Sequence, residues 1–281
     1  GQVRRICASL FQQAQAYDTG RLRADVLMLQ VTPPDENGMV SLGPCIGYMP
    51  QILKQDTLVV ASVNPQIPRS GVKIPLDRLD HVVEFDAPLP STSLSPVDSV
   101  DQQIADNVLT LLRDGITVEV GIGSTPDAVM QSLSCLNNIQ VHTGMLNQAV
   151  MVPVGSGAVV GKITTTMAMG DAPFYRWLDE GDRVDFRPIM HTHARQTIAD
   201  KPGFFAINGA LQVDQLGNVN VETIAGRPIS CPGGLPDFAT AAQQSMGGAS
   251  LIVLRSTAGR HQVSTIVSQL DQKTLDGSHV D

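Results

Sequence analysis

Charged and aromatic side chains are scarce in this chain. Of its 281 residues, 16% are charged and 4% are aromatic. The formal net charge is −8 with no basic stripe to offset it, which argues against a nucleic-acid or anionic-membrane partner. So few rings leave no platform for stacking bases. No apolar run approaches the roughly 20 residues that a membrane-crossing helix needs, and no secretory leader is visible. The four cysteines, Cys7, Cys45, Cys135 and Cys231, are too scattered for a CxxC pair or a disulfide framework. That suits a reducing cytoplasm, which is the expected location. Their spacing offers no zinc site, and neither a GxSxG elbow nor a Ser-His-Asp set is present.

What is present is a hydrophobic content of 42%, enough for a sizeable core and two α/β units. Residues 25–31 (DVLMLQV) and 57–63 (TLVVASV) are continuous apolar runs of strand length, each ended by a breaker cluster. Runs without polar alternation suit strands buried on both faces of a largely parallel sheet. Val97, Val100, Ile104, Val108 and Leu111 recur at helical spacing and predict a helix over 97–113, stopped by Asp114 and Gly115. Strand 116–120, the loop Gly121-Ile122-Gly123-Ser124-Thr125 and a helix opened by Pro126 follow. Residues 139–142 read as a short strand, 150–170 as strands and turns, and 174–178 as a helix fragment. Further on, a strand entered at 203–206, a turn at 215–218, a helix over 237–245 and a strand over 251–254 repeat the α/β theme. A boundary near residue 188 divides the chain into 1–188 and 189–281.

Three stretches could carry chemistry. Gly121 to Asp127 places glycines at a strand end, where backbone amides and a helix start can meet an anion or a carbonyl oxygen. By itself it reads as a tight turn with Thr125 as N-cap, and Pro126 stands where a dinucleotide fingerprint would need its third glycine. Cys231-Pro232-Gly233-Gly234 is a second amide nest. Its cysteine is either a reactive thiolate or a small buried side chain. His142, His191 and His193 form the third. His191 and His193 would share a face if that segment were a strand, but no third metal ligand is evident.

Residues 25–43 (DVLMLQVTPPDENGMVSLG) resemble the "DVaLiqvSppDehGyvSLG" segment of the acetyl-CoA hydrolase/transferase family. That family includes 4-hydroxybutyrate, butyryl and succinyl:acetate CoA-transferases of class I. Residues 63–69 resemble its "vNpnmPrt", 121–129 its "GIGaiPdav", 141–145 its "iHTEm" and 207–214 its "INsaiEvD". Residues 233–238 and 245–250 are similar to "GGqvDF" and "S-GGkSi". The order and spacing match over nearly the whole chain, with the family's first helices and final segment expected to lie outside it.

The resemblance implies two open, mostly parallel α/β domains of CoA-transferase type with the active site between them. It also implies an acyl-CoA substrate or another acyl thioester, no separate cofactor and no metal. The partner would be a second copy or a homologous subunit. In that family the glutamate of "INsaiEvD" attacks the thioester, and the two glycine loops surround the reacting carbonyl. Gly121, Ile122, Gly123, Gly233, Gly234, Leu235, His142 and Asn208 are the expected substrate-binding and oxyanion residues. Gln212 takes the nucleophile's position, and an amide is a poor nucleophile. Gly144, Leu235, Ala249 and Thr265 replace a glutamate, a glutamine, a lysine and an arginine of the family pattern. The expectation is an acyl-thioester enzyme working by hydrolysis, decarboxylation or direct acyl transfer, with Gln212, Cys231 and His193 as its catalytic candidates. An ordinary CoA-transferase inactivated by the Glu-to-Gln change, or a non-catalytic acyl-CoA-binding subunit, are the alternatives.

Overall fold

The computed structural model describes residues 6–259 and 262–281. Helix α1 (Leu10–Asp18) opens with Ser9 as N-cap, in a capping box with Gln12. Strands β1 (Val26–Val31), β2 (Leu58–Val63) and β3 (His81–Glu84) form a parallel sheet in that order, with Val26 opposite Leu58 and Val60 opposite His81. Helix α2 (Ser99–Leu109) follows, capped by Asp98, whose carboxylate accepts from the amides of Val100 and Asp101. Then come β4 (Thr117–Val120), α3 (Ser124–Ser132), β5 (Gln140–Val141), α4 (Ala172–Glu180) and α5 (Ile189–Thr192). The last third holds β6 (Phe204–Gly209), β7 (Gln212–Asp214), β8 (Val219–Asn220), α6 (Leu235–Ala242), β9 (Ala249–Val253) and β10 (Ile266–Val267).

The sheet that positions the site runs β9-β6-β4-β5, with all neighbours parallel. Phe204 to Ile207 lie opposite Thr117 to Val120, and Phe205 to Gly209 lie opposite Ala249 to Val253. All four residues of β4 and the first four of β6 are buried, as strands covered on both faces should be. The main core joins this sheet to β1 and β2 through Val118, Val120, Phe205, Ile207, Leu29, Val31, Val59 and Ala61.

The four-stranded ladder crosses residue 188, with β4 and β5 before it and β6 and β9 after it. One expectation is corrected. The run 25–31, read as buried on both faces, alternates instead: Leu27, Leu29 and Val31 are buried, while Val26 and Met28 are exposed. Period-2 geometry sends alternate residues to opposite faces, and only one face of this strand is covered by the described residues. Smaller differences concern element ends. The helix expected over 97–113 is confined to 99–109, and residues 151–155, expected among strands and turns, form a short helix.

Candidate active site

In the four-stranded sheet, the chain leaves β4 toward β5 on one side and leaves β6 toward β9 on the other. The strand order thus reverses between β4 and β6. In open α/β sheets, ligands bind beyond the carboxyl ends of strands at such a point. A cleft of about 1130 Å³ lies there, lined by the segments that leave all three strands: 119–126 from β4, 208–211 from β6 and 253–259 from β9. The loop 230–235 lines it too. Its volume slightly exceeds the roughly 300–1,000 Å³ usual for small-ligand sites.

Both glycine loops end in helices without side-chain caps. Gly123 is the N-cap of α3 and Gly234 that of α6, and neither position has a capping side chain. Thr125, expected as an N-cap, lies inside the first turn of α3, and its hydroxyl donates to Asp101 at 2.7 Å. First-turn amides without intrahelical partners are donors suited to a carbonyl oxygen or an anion. Gly123 has φ +123° and Gly233 φ +62°, conformations that a side chain would disfavour.

The cleft gathers most of the expected residues. Gly121, Ile122, Gly123, Asn208, Gly233, Gly234, Leu235, Cys231 and His193 all line it, as does Gly144. The Cys231 thiol is exposed. Two expected residues stand elsewhere. Gln212 is half-buried on β7 and does not line the cleft, although Ala210 and Leu211 do. Opposite Asn220 in the ladder, its Oε1 accepts from Asn220 Nδ2 at 3.4 Å. His142 lies behind the cleft wall, with its Nε2 donating to the carbonyl of Thr192 at 2.8 Å and its ring edge-on to Phe204 and Phe238. Burial brings its pKa down to about 4.

His191 and His193 do not share a strand face. The segment is helix α5, with His191 exposed and His193, its C-cap, buried. The Nδ1 of His193 meets the Thr192 hydroxyl at 2.9 Å. Its Nε2 has no hydrogen-bond partner among the described residues. A Cβ on Gly144 would come within 2.9 Å of that nitrogen and one on Gly234 within 2.6 Å, so the imidazole occupies space that the two glycines leave open. Burial, reinforced by His142, holds its pKa near 3, and the ring is neutral at physiological pH.

Two groups were missed by the sequence reading. Glu119, in β4 immediately before the glycine loop, lines the cleft at 4% exposure. Its Oε2 accepts from Asn208 Nδ2 at 2.7 Å, and burial pushes its pKa up to about 8 against that hydrogen bond. A lone acidic residue in the apolar run Ile116-Thr117-Val118-Glu119-Val120 was the available signal. Arg255, two residues beyond β9, pairs with Asp98 at 2.8 Å and with the fully buried Asp101 at 2.6 Å. This fastens the start of α2 to the cleft wall. Among the described residues, no group of three or more His, Cys, Asp or Glu side chains is placed to hold a metal, and no helix is long and apolar enough to cross a membrane.

Sequence models of the acetyl-CoA hydrolase/transferase N-terminal and C-terminal domains match residues 4–91 and 170–280. The 4-hydroxybutyrate coenzyme A transferase of Clostridium kluyveri is 33% identical over 261 residues, covering 89% of this chain and 61% of the relative. The succinyl-CoA:cyclohexane-1-carboxylate CoA transferase of Geobacter metallireducens is 30% identical, covering 88% and 59%. The chain thus spans about three-fifths of these relatives' lengths. The crystal structure of RipA from Yersinia pestis superposes with a TM-score of 0.90 at 26% identity, over 97% of this chain and 64% of that one. With a mostly parallel α/β architecture and two family models spanning most of its length, the chain belongs to the acetyl-CoA hydrolase/transferase family.

Proposed function

We propose that this protein acts on an acyl-CoA thioester held in the cleft at the strand ends, by a route that forms no bond to residue 212. The observation that carries this is the convergence of two uncapped, glycine-started helices, α3 and α6, on one cleft at the sheet's reversal point. Their first-turn amides would polarise the thioester carbonyl and hold the charge that develops on its oxygen. Gln212 lacks a nucleophilic oxygen, and its amide is engaged with Asn220 outside the cleft lining. Hydrolysis, decarboxylation and direct transfer of the acyl group to a bound nucleophile all fit such a site. Pairing with a second copy or a homologous subunit belongs to the same proposal.

The test is a screen of acyl-CoA thioesters with and without carboxylate and amine acceptors, read by product mass. Thioester consumption that survives Gln212→Ala within a few-fold supports the proposal. Consumption of no thioester, together with strong CoA transfer appearing in Gln212→Glu, would instead establish an ordinary transferase silenced at this position.

A further inference from the structure

Among the described residues lining the cleft, Glu119 is the one carboxyl group, and Arg255 the one other charged side chain. Arg255 is occupied by Asp98 and Asp101. Glu119 and Asn208 come from β4 and β6, the neighbouring strands between which the sheet order reverses. The Asn208 amide fixes Oε2 of the carboxyl at 2.7 Å, while Oε1 makes no hydrogen bond among the described residues. Gly121 allows this arrangement, since a Cβ there would stand 2.6 Å from Asn208 Oδ1. The carboxyl therefore has one oxygen held, one oxygen unengaged, and a position two residues before the glycine loop that lines the same cleft.

A covalent acyl transfer needs a nucleophile within reach of an oxyanion site and a group that orients it. We propose that Glu119 is the nucleophile of this cleft, taking on the covalent role that residue 212 does not perform. The proposal rests on the acyl-thioester reading above and names the reacting group within it.

Oε1 of Glu119 bonds to the acyl carbon as the carbon–sulfur bond breaks, giving an acyl-glutamyl anhydride. The carboxyl proton passes to the departing sulfur, which leaves as the CoA thiol. A buried carboxyl with an elevated pKa carries that proton at neutral pH. The thiol then attacks the glutamyl carbonyl, releasing the acyl group as its carboxylic acid and leaving a Glu119–CoA thioester. Water cleaving that thioester restores the carboxyl and frees CoA, which completes a hydrolysis. A second carboxylate attacking it instead forms a new mixed anhydride with Glu119. The CoA released in that step then attacks the acceptor's own carbonyl, giving the new acyl-CoA and restoring Glu119.

The test uses the purified whole protein incubated with acetyl-CoA and then reduced with borohydride, which converts a glutamyl thioester to an alcohol. Peptide mass mapping should find the reduced side chain at 119, absent without acetyl-CoA and absent in Glu119→Gln. Turnover should fall by more than about a hundredfold in that variant. Glu119→Asp, which keeps a carboxyl on a shorter stem, should retain the fold and CoA binding while losing most of its turnover. Sustained thioester turnover with no modification at 119, or an adduct on Cys231 instead, overturns the role of Glu119 and leaves the acyl-thioester reading intact. Binding of acetyl-CoA without turnover or modification in the wild type overturns both.

Discussion

One added methyl group, Gly121→Ala, should uncouple the two strands that meet at the cleft floor. Gly121 is not among the glycines with positive φ, so alanine brings no backbone strain there. Its amide bond to the carbonyl of Ile207, 2.9 Å, can persist. The new Cβ would lie 2.6 Å from Asn208 Oδ1 and 3.4 Å from its Cγ, and the Asn208 side chain would have to swing away. That movement breaks the 2.7 Å hydrogen bond to Glu119 and leaves a buried acceptor unpaired. Such a loss costs about 1–3 kcal/mol. The entropy benefit of Gly→Ala in the unfolded chain returns about 0.4–1 kcal/mol, so a net destabilisation of about 1–2 kcal/mol is expected. Urea denaturation of Gly121→Ala, Asn208→Ala and the double variant reads it directly. Because both single changes remove the same hydrogen bond, the double variant should fall short of their sum by at least about 0.5 kcal/mol. A stabilised Gly121→Ala, or strict additivity, would refute the linkage.

The elevated pKa of Glu119 also ties stability to pH. Below about 4.5, its ordinary value, both folded and unfolded states hold the proton; between 4.5 and about 8 only the folded state does, so stability declines as pH rises, and above 8 the slope ends. Stability at pH 9 relative to pH 5 should therefore improve in Glu119→Gln over wild type, by an amount on the order of 5 kcal/mol, and an unchanged difference would contradict the burial argument. Ala at Gly144 or Gly234 drives a Cβ into the His193 ring and should cost about 1–3 kcal/mol by thermal denaturation, relieved in a His193→Ala background. No loss in either variant would mean the ring is free to move. Arg255→Ala leaves the buried Asp101 with the Thr125 hydroxyl alone and should destabilise by about 1–3 kcal/mol in urea, whereas Arg255→Lys should recover part of that.

The glycine loops and their flanking strands and helices were legible in the sequence because Gly and Pro punctuate them: Gly121, Gly123 and Pro126 mark one junction, Gly233, Gly234 and Pro236 the other. Their convergence followed only from family resemblance. The Glu119–Asn208 contact spans 89 residues of chain, and no local period reports it. Gln212 was placed in the cleft by its motif, but the pairing of β7 with β8 set its amide against Asn220. His191 and His193 show the limit of short windows: two residues apart, they satisfy a strand's alternation, and three residues cannot exclude the helical turn that sends one outward and the other into the interior. The open face of β1 was misread because Val26 and Met28 on it are apolar and Gln30 alone marks it.

The ladder between β4 and β6 has a consequence for dissection of the chain. Expressed separately, segments 1–188 and 189–281 would each present an unsatisfied row of amides and carbonyls, β4 on one piece and β6 on the other. Neither should be a self-sufficient module. Mixed together, the pieces should act as a split protein, reconstituting by edge-to-edge recognition and bringing Glu119 back beside Asn208 only on reassembly.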